Sequence, residues 1–179
     1  MTLINSFSKM IKILNSQAIP YMLVGGVAVN FYAAPRTTLD LDLVIMLDQN
    51  NLNNFLAELK KNGFQFDADI IVRHLGVMNH FPIYGEDEFQ VDIWIPKYEL
   101  EKKALERKQL LHYLNEQVYI ISVEDLILFK LKADRSKDIN DIKAILINQT
   151  AQLDNVYLDI WLERLGLRDK LKTLQKEIT

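Results

Sequence analysis

Cysteine is absent from the 179 residues, which removes disulfides, thiolate metal sites and thiol nucleophiles together. Proline (4) and glycine (6) are scarce, so a collagen-like or a Pro/Gly-rich disordered chain is excluded. No apolar run approaches the ~20 residues of a bilayer-spanning helix. The opening MTLINSFSKMIKILNSQ threads Ser, Asn and Lys through its apolar positions, unlike the unbroken core of a signal peptide. These absences lead to the expectation of a soluble, cytoplasmic protein with no membrane partner. Repeats and low-complexity tracts are lacking too. Basic residues are few in the first half: residues 1–96 carry 6 Lys+Arg against 10 Asp+Glu, whereas residues 97–179 carry 15 against 14. A surplus of acids without local bases is either a solvated acidic face or a cation site. It is not the whole-surface basic footprint of a nucleic-acid binder.

What is present is ordinary for a globular chain, at 49% hydrophobic and 25% charged, and the length makes one compact unit the expectation. Phe7, Met10, Ile11 and Leu14 repeat at helical spacing over residues 5–16, with Ser6 or Ser8 as the N-cap. Tyr21–Val24 reads as a short strand cut by Gly25-Gly26, and residues 28–34 as a short helix stopped before Pro35. Leu39–Leu47 alternates acid and aliphatic and then turns wholly apolar, the pattern of a strand buried beyond one exposed end. A second amphipathic helix covers 51–61 and ends at Asn62-Gly63. Residues 70–72, 77–84 and 89–95 read as a three-stranded meander with turns at Gly76 and Gly85-Glu86-Asp87. After Pro96 come a helix at 99–108, a strand at 118–121, a helix from Ser122 to Lys132, and helices over 136–149 and 153–177. The order implies an α+β (mixed α/β) fold: a sheet-bearing core in residues 1–96 and a mainly helical part in 97–179 packed on it, or one domain throughout.

Three features carry chemistry. Two glycines between a strand and a helix leave backbone N–H groups at a positive helix terminus, a setting for phosphate, although a Gly-Gly pair alone is more often a tight turn. Asp40 and Asp42 lie two apart on a strand, so both carboxylates leave the same face. Parallel carboxylates repel, which is tolerable in water or around a divalent cation, and Mg²⁺ takes few carboxylates together with water and substrate phosphates. Asp92 stands in the apolar strand Phe89–Ile95, sharing its face with Gln90 and Trp94, and a buried carboxylate there asks for a partner.

In order and element type, Gly25-Gly26, Asp40-Leu41-Asp42 and Asp92 resemble the nucleotidyltransferase superfamily whose fold is shared with DNA polymerase β. The Pro35-Arg36-x-Thr38-x-Asp40-x-Asp42 run looks like one branch, the small prokaryotic proteins related to abortive-infection and type IV toxins. A second block, Lys130-Leu131-x-Ala133 followed by Arg135-x-Lys137-Asp138-x-x-Asp141, is similar to that branch's downstream helical motif. Phe31 and Ala33 depart from the His and Gly the branch often carries. The resemblance spans about residues 18–147. It implies a nucleotidyltransferase fold and transfer of a nucleoside monophosphate from NTP to an acceptor hydroxyl, with release of pyrophosphate. Asp40, Asp42 and Asp92 would be catalytic and would hold Mg²⁺, two ions in the full complex. Gly25, Gly26, Arg36, Thr38, Lys130 and Lys137 would serve the nucleotide, with Thr38 orienting Asp40. The acceptor it implies is an RNA end such as tRNA, a small molecule or a protein, and a cognate antitoxin is a further partner it allows.

The same residues also allow a catalytically silent nucleotide-binding or toxin-partner module. Lys97, Lys102, Lys103, Arg107 and Lys108 would guide RNA, diluted by Glu99, Glu101 and Glu106. Asp138 and Asp141 share a helical face and would orient Lys137 or Arg135. His74, His80 and His112 lack metal-ligand spacing and read as solvated or hydrogen-bonded. Ser122 reads as an N-cap, Phe81, Tyr84 and Trp94 as sheet packing with Tyr84 or Trp94 able to stack a base, and Tyr157 with Trp161 as a helix–helix seam.

Overall fold

A computed structural model describes residues 2–75, 77, 79–86, 89–113, 115–149 and 153–178. The turn residues Gly76 and Asp87 lie outside these. The chain opens with helix α1 (Thr2–Ser16), strand β1 (Tyr21–Leu23), helix α2 (Gly25–Tyr32) and strand β2 (Asp40–Ile45). Helices α3 (Leu52–Lys61) and α4 (Ala68–His74) lead to the hairpin β3 (His80–Tyr84) and β4 (Gln90–Trp94). Helix α5 (Glu99–Glu106), strands β5 (Gln109–Tyr113) and β6 (Glu116–Ile120), and helices α6 (Val123–Ala133), α7 (Ser136–Gln149), α8 (Asn155–Leu165) and α9 (Arg168–Glu177) follow.

The six strands form one mixed sheet in the order β3-β4-β2-β1-β6-β5. Strand β1 runs antiparallel to β2 and parallel to β6, while β2 runs parallel to β4. One face of the β2–β4 pair is apolar and fully buried through Leu41, Leu43, Ile45, Val91 and Ile93. The other face carries Asp40, Asp42, Gln90, Asp92 and Trp94, as the period of two requires. Helix α1 packs on β6 and against α3, whereas α2 packs on β2 and against α6 and α7.

Several elements differ from the sequence expectation. Residues 70–72 are helical: Asp67 accepts a hydrogen bond from the Ile70 N–H (2.9 Å), and this N-cap turns the Ile-Ile-Val run into α4, with Ile71 buried and its neighbours exposed. Strand β5 falls in residues 109–117, to which the sequence reading gives no element; its residues are mostly exposed, so it lacks a buried alternation. Residues 153–177 are two helices, because Gly166 takes a left-handed conformation (φ +66°) and closes α8. Helix α1 begins at Thr2, ahead of both serines proposed as its cap.

Candidate active site

The in-register pairing of β2 with β4 sets Asp42 opposite Asp92 and Asp40 opposite Gln90. Paired residues on neighbouring strands face the same way about 4.8 Å apart, so all three acids stand on one face of the sheet. Burial pushes the Asp42 carboxyl above the usual carboxylate range, and the charges of Asp40 and Asp92 push it further. The Trp94 indole N–H, which donates to Asp42 Oδ1 at 3.4 Å, and the positive charge of Lys137 work in the opposite sense. Thr38 donates its hydroxyl to Asp40 Oδ1 (2.8 Å). That is the orienting contact the sequence suggested for it.

The glycine turn is shaped by these acids. Gly25 has φ +61°, and a Cβ placed there would run into Oδ2 of Asp42. A Cβ on Gly26 would sit 2.6 Å from Thr38 Oγ1. Two bare backbone positions therefore let the first turn of α2, with its unsatisfied N–H groups, close down on the carboxylates.

Asp92 is 8% exposed and is held on its own side of the site. Gln90 Nε2 donates to both of its oxygens (3.0 and 3.1 Å), and His80 Nε2 lies 2.8 Å from Oδ1. His80, which the sequence reads only as solvated or hydrogen-bonded, is thus hydrogen-bonded to one of the three acids, a partner the sequence did not name. Counting back across the hairpin from Gly85 finds it, because His80 is the register partner of Trp94.

The cations divide into two kinds. Arg36 makes a two-pronged contact with Asp141 (Nε–Oδ1 2.7 Å, Nη2–Oδ2 2.8 Å), and Asn30 fixes its backbone on both sides. Lys130 is 5% exposed, with Nζ between Asp138 (3.1 Å) and Asp141 (2.7 Å); Arg135 pairs with Asp138 at 2.6 Å. Burial raises the carboxyls of Asp138 and Asp141, but hydrogen bonds from Arg135 and Lys130 to the first, and from Arg36 and Lys130 to the second, carry both below the ordinary value. So Arg36 and Lys130 stand in a carboxylate-neutralised knot joining the α2–β2 loop to α6 and α7. Asp138 engages Arg135 and Asp141 engages Arg36, and neither pairs with Lys137. Lys137 is exposed, lines the cleft, and makes no hydrogen bond or ion pair with another described residue.

The three acids, Gly25, His80, Gln90, Lys130 and Lys137 border one cleft of about 650 Å³, the size of a small-molecule or cofactor site. The acids, Gly25 and His80 form its polar part; Ile95, Pro96, Leu100, Leu126 and Phe129 form an apolar recess beside it. Among the described residues no three His, Cys, Asp or Glu side chains already converge on a common metal position. The donor set nevertheless suits a divalent cation: Asp42 is raised by burial first and by Asp40 and Asp92 beside it, and a hard cation with phosphate oxygens would relieve the repulsion among the three carboxylates. Among the described residues no helix is long and apolar enough to cross a membrane.

A mixed sheet with paired acids on one strand, a third acid on its parallel neighbour and a glycine turn above them is the arrangement of a nucleotidyltransferase. The chain belongs to the family described as nucleotidyl transferases of unknown function (DUF2204), which it matches over residues 3–174. Solved structures share the fold. The lincosamide antibiotic adenylyltransferase LnuA, lincomycin-bound, superposes with a TM-score of 0.57 at 16% identity, over 81% of this chain and 96% of its own. The antibiotic-resistance factor ANT(2'')-Ia gives 0.59 at 14% identity, over 96% and 94%. An antigenic nucleotidyltransferase-like protein from Paracoccidioides brasiliensis gives 0.53 at 19% identity, over 95% and 92%. The comparison with curated proteins returns no match.

Proposed function

We propose that this nucleotidyltransferase moves a nucleoside monophosphate from NTP to an acceptor hydroxyl at the Asp40–Asp42–Asp92 face, with Mg²⁺ as the metal. The observation that carries the reading is the register of β2 against β4, which sets the third acid beside the first two under a turn of bare glycine backbone. Asp40 and Asp42 would hold the cation, with Asp92 joining them. Bound there, Mg²⁺ offsets negative charge on the α-phosphate and on departing pyrophosphate.

The chain's own groups do the rest. Thr38 keeps the Asp40 carboxylate in one orientation. The N–H groups of Gly25 and Gly26 receive the outer phosphates, and Lys137, without a carboxylate partner among the described residues, is the side chain free to meet them. Arg36 and Lys130 act through the knot that holds the α2–β2 loop against α7. The acceptor oxygen attacks the α-phosphorus, the bond to the pyrophosphate bridging oxygen breaks, and the hydroxyl proton leaves to solvent, its loss eased by the charge of Asp92. The apolar recess beside Trp94 suits the nucleobase.

For the acceptor, a small hydroxyl compound is favoured over an RNA end. Residues 74–96, which supply the Asp92 side of the cleft, contain four acids and no Lys or Arg. RNA affinity comes largely from Lys and Arg on phosphates. Two cations of the basic tract proposed to guide RNA are engaged internally: Lys103 pairs with Glu106, and Arg107 with Glu124 and Asp125. The reading is tested by incubating the protein with α-labelled NTPs, Mg²⁺ and, separately, RNA and hydroxyl-bearing small molecules. Mg²⁺-dependent label that disappears in Asp40→Ala and Asp42→Ala supports it. Labelled RNA would reverse the acceptor preference, and no label in any pool would remove the transferase reading.

A further inference from the structure

We propose that His80 and Gln90 are positioning residues, holding the Asp92 carboxylate so that Oδ2 is the atom it offers to the cation. The proposal rests on the reading of Asp92 given above and extends it to residues outside the acidic motif.

A carboxylate buried between Val91 and Ile93 in an apolar strand needs donors, since an unpaired charge there is costly. Gln90 and His80 supply three contacts: Oδ1 faces both His80 Nε2 and Gln90 Nε2, while Oδ2 faces Gln90 alone. A carboxylate has about four lone-pair sites, so one remains, and it is on Oδ2. An ionised carboxylate only accepts, so the His80 nitrogen facing it carries the hydrogen, which fixes the ring's tautomer.

The clamp is itself fixed. The His80 ring packs on Trp94, its register partner, with centroids 4.2 Å apart and planes at 35°. The same indole donates to Asp42. One aromatic side chain thus steadies both the His80 that orients Asp92 and the Asp42 across the strand pair. Groups behind metal ligands typically govern affinity by orienting them in this way.

The test measures Mn²⁺ binding by electron paramagnetic resonance on the full-length protein, with the non-hydrolysable analogue of whichever NTP raises the melting temperature most. Asp92→Asn, which removes a ligand, is expected to weaken Mn²⁺ binding by no less than the roughly tenfold to hundredfold that losing a group behind a ligand costs. His80→Phe keeps a ring against Trp94 but lacks the N–H, and should reproduce most of that loss. His80→Gln returns an N–H donor and should recover most of the affinity. In the double variant His80→Phe/Asp92→Asn the losses should not add, since both act through one carboxylate. Wild-type Mn²⁺ affinity in His80→Phe or in Asp92→Asn overturns the proposal, as do additive losses. Should His80→Phe fail to fold, nitrogen-15 NMR of the wild type decides: a slowly exchanging proton on His80 Nε2 supports the clamp, and a hydrogen only on Nδ1 overturns it. A wild-type protein that binds neither Mn²⁺ nor NTP removes the transferase reading itself, a result distinct from all of these.

Discussion

Two lysines seven residues apart have opposite circumstances. Lys130 is buried between two carboxylates that are themselves almost wholly buried, and Lys137 is exposed in the cleft. Removing one partner of a buried ionic cluster strands charge in low dielectric and costs about 3–5 kcal/mol. Lys130→Met should therefore lower the urea unfolding free energy by about that amount. Lys137→Met should change it by less than about 0.5 kcal/mol, yet weaken the melting-temperature rise given by NTP and Mg²⁺. Asp42 yields a prediction about pH. Its carboxyl is raised in the folded state, so the native protein holds a proton that the unfolded chain has released, and stability falls as pH climbs from about 3.8, the ordinary value, through the raised one. Asp42→Asn should accordingly be more stable than wild type at neutral pH without divalent cation. The gain should vanish below the ordinary carboxylate pKa, where both states are protonated. Thermal unfolding of the two proteins across pH 3–8 measures it, and a gain that persists unchanged at the acid end would show that burial of Asp42 is not its source.

The secondary elements show what a sequence discloses and what it hides. Strand β2 was legible because alternation of acid and aliphatic has only one structural meaning when Leu41, Leu43 and Ile45 must be buried. The acids were legible with it, and so was Gln90 as a face-mate of Asp92. His80 was not, because its role arises from pairing across a hairpin rather than from spacing along the chain. Arg36 and Lys130 drew a nucleotide role from the resemblance, and the fold adds what spacing along the chain does not show, that Asp138 and Asp141 pair with them. Strand β5 hid for a different reason: an edge strand with exposed side chains has no buried face to give it a period. Helix α4 hid behind β-branched residues that speak for a strand, until the Asp67 cap is counted. That cap is open to measurement. Asp67→Ala should cost about 1 kcal/mol and speed amide exchange in residues 68–74 ahead of the rest of the molecule. Uniform exchange across the fold would mean that α4 is held by Ile71 alone.

At the scale of the whole molecule, the division at residue 96 that the sequence suggests cuts through the sheet. Strand β1 pairs on one side with β2 and on the other with β6, and the Ile121 N–H reaches the Leu23 carbonyl at 3.0 Å. Tyr32 donates its hydroxyl to the Ile121 carbonyl (2.7 Å), and Arg36 closes on Asp141. Each contact joins the half that carries the acidic face to the later half of the chain. A fragment of residues 1–96 would leave β1 with an unpaired edge, strip α2 of its packing against α6 and α7, and expose the apolar residues beneath. Open strand edges and unburied apolar faces favour association over folding. Such a fragment should therefore lack a cooperative thermal transition and a dispersed proton NMR spectrum. It should also show no melting response to NTP with Mg²⁺, although it carries Gly25, Gly26, Asp40, Asp42 and Asp92. A fragment that melts cooperatively and responds to nucleotide would establish residues 1–96 as a domain and reduce the helical half to an addition. The pairing of β1 with β6 argues for the other outcome, in which the acids gain their geometry only when both halves close one sheet.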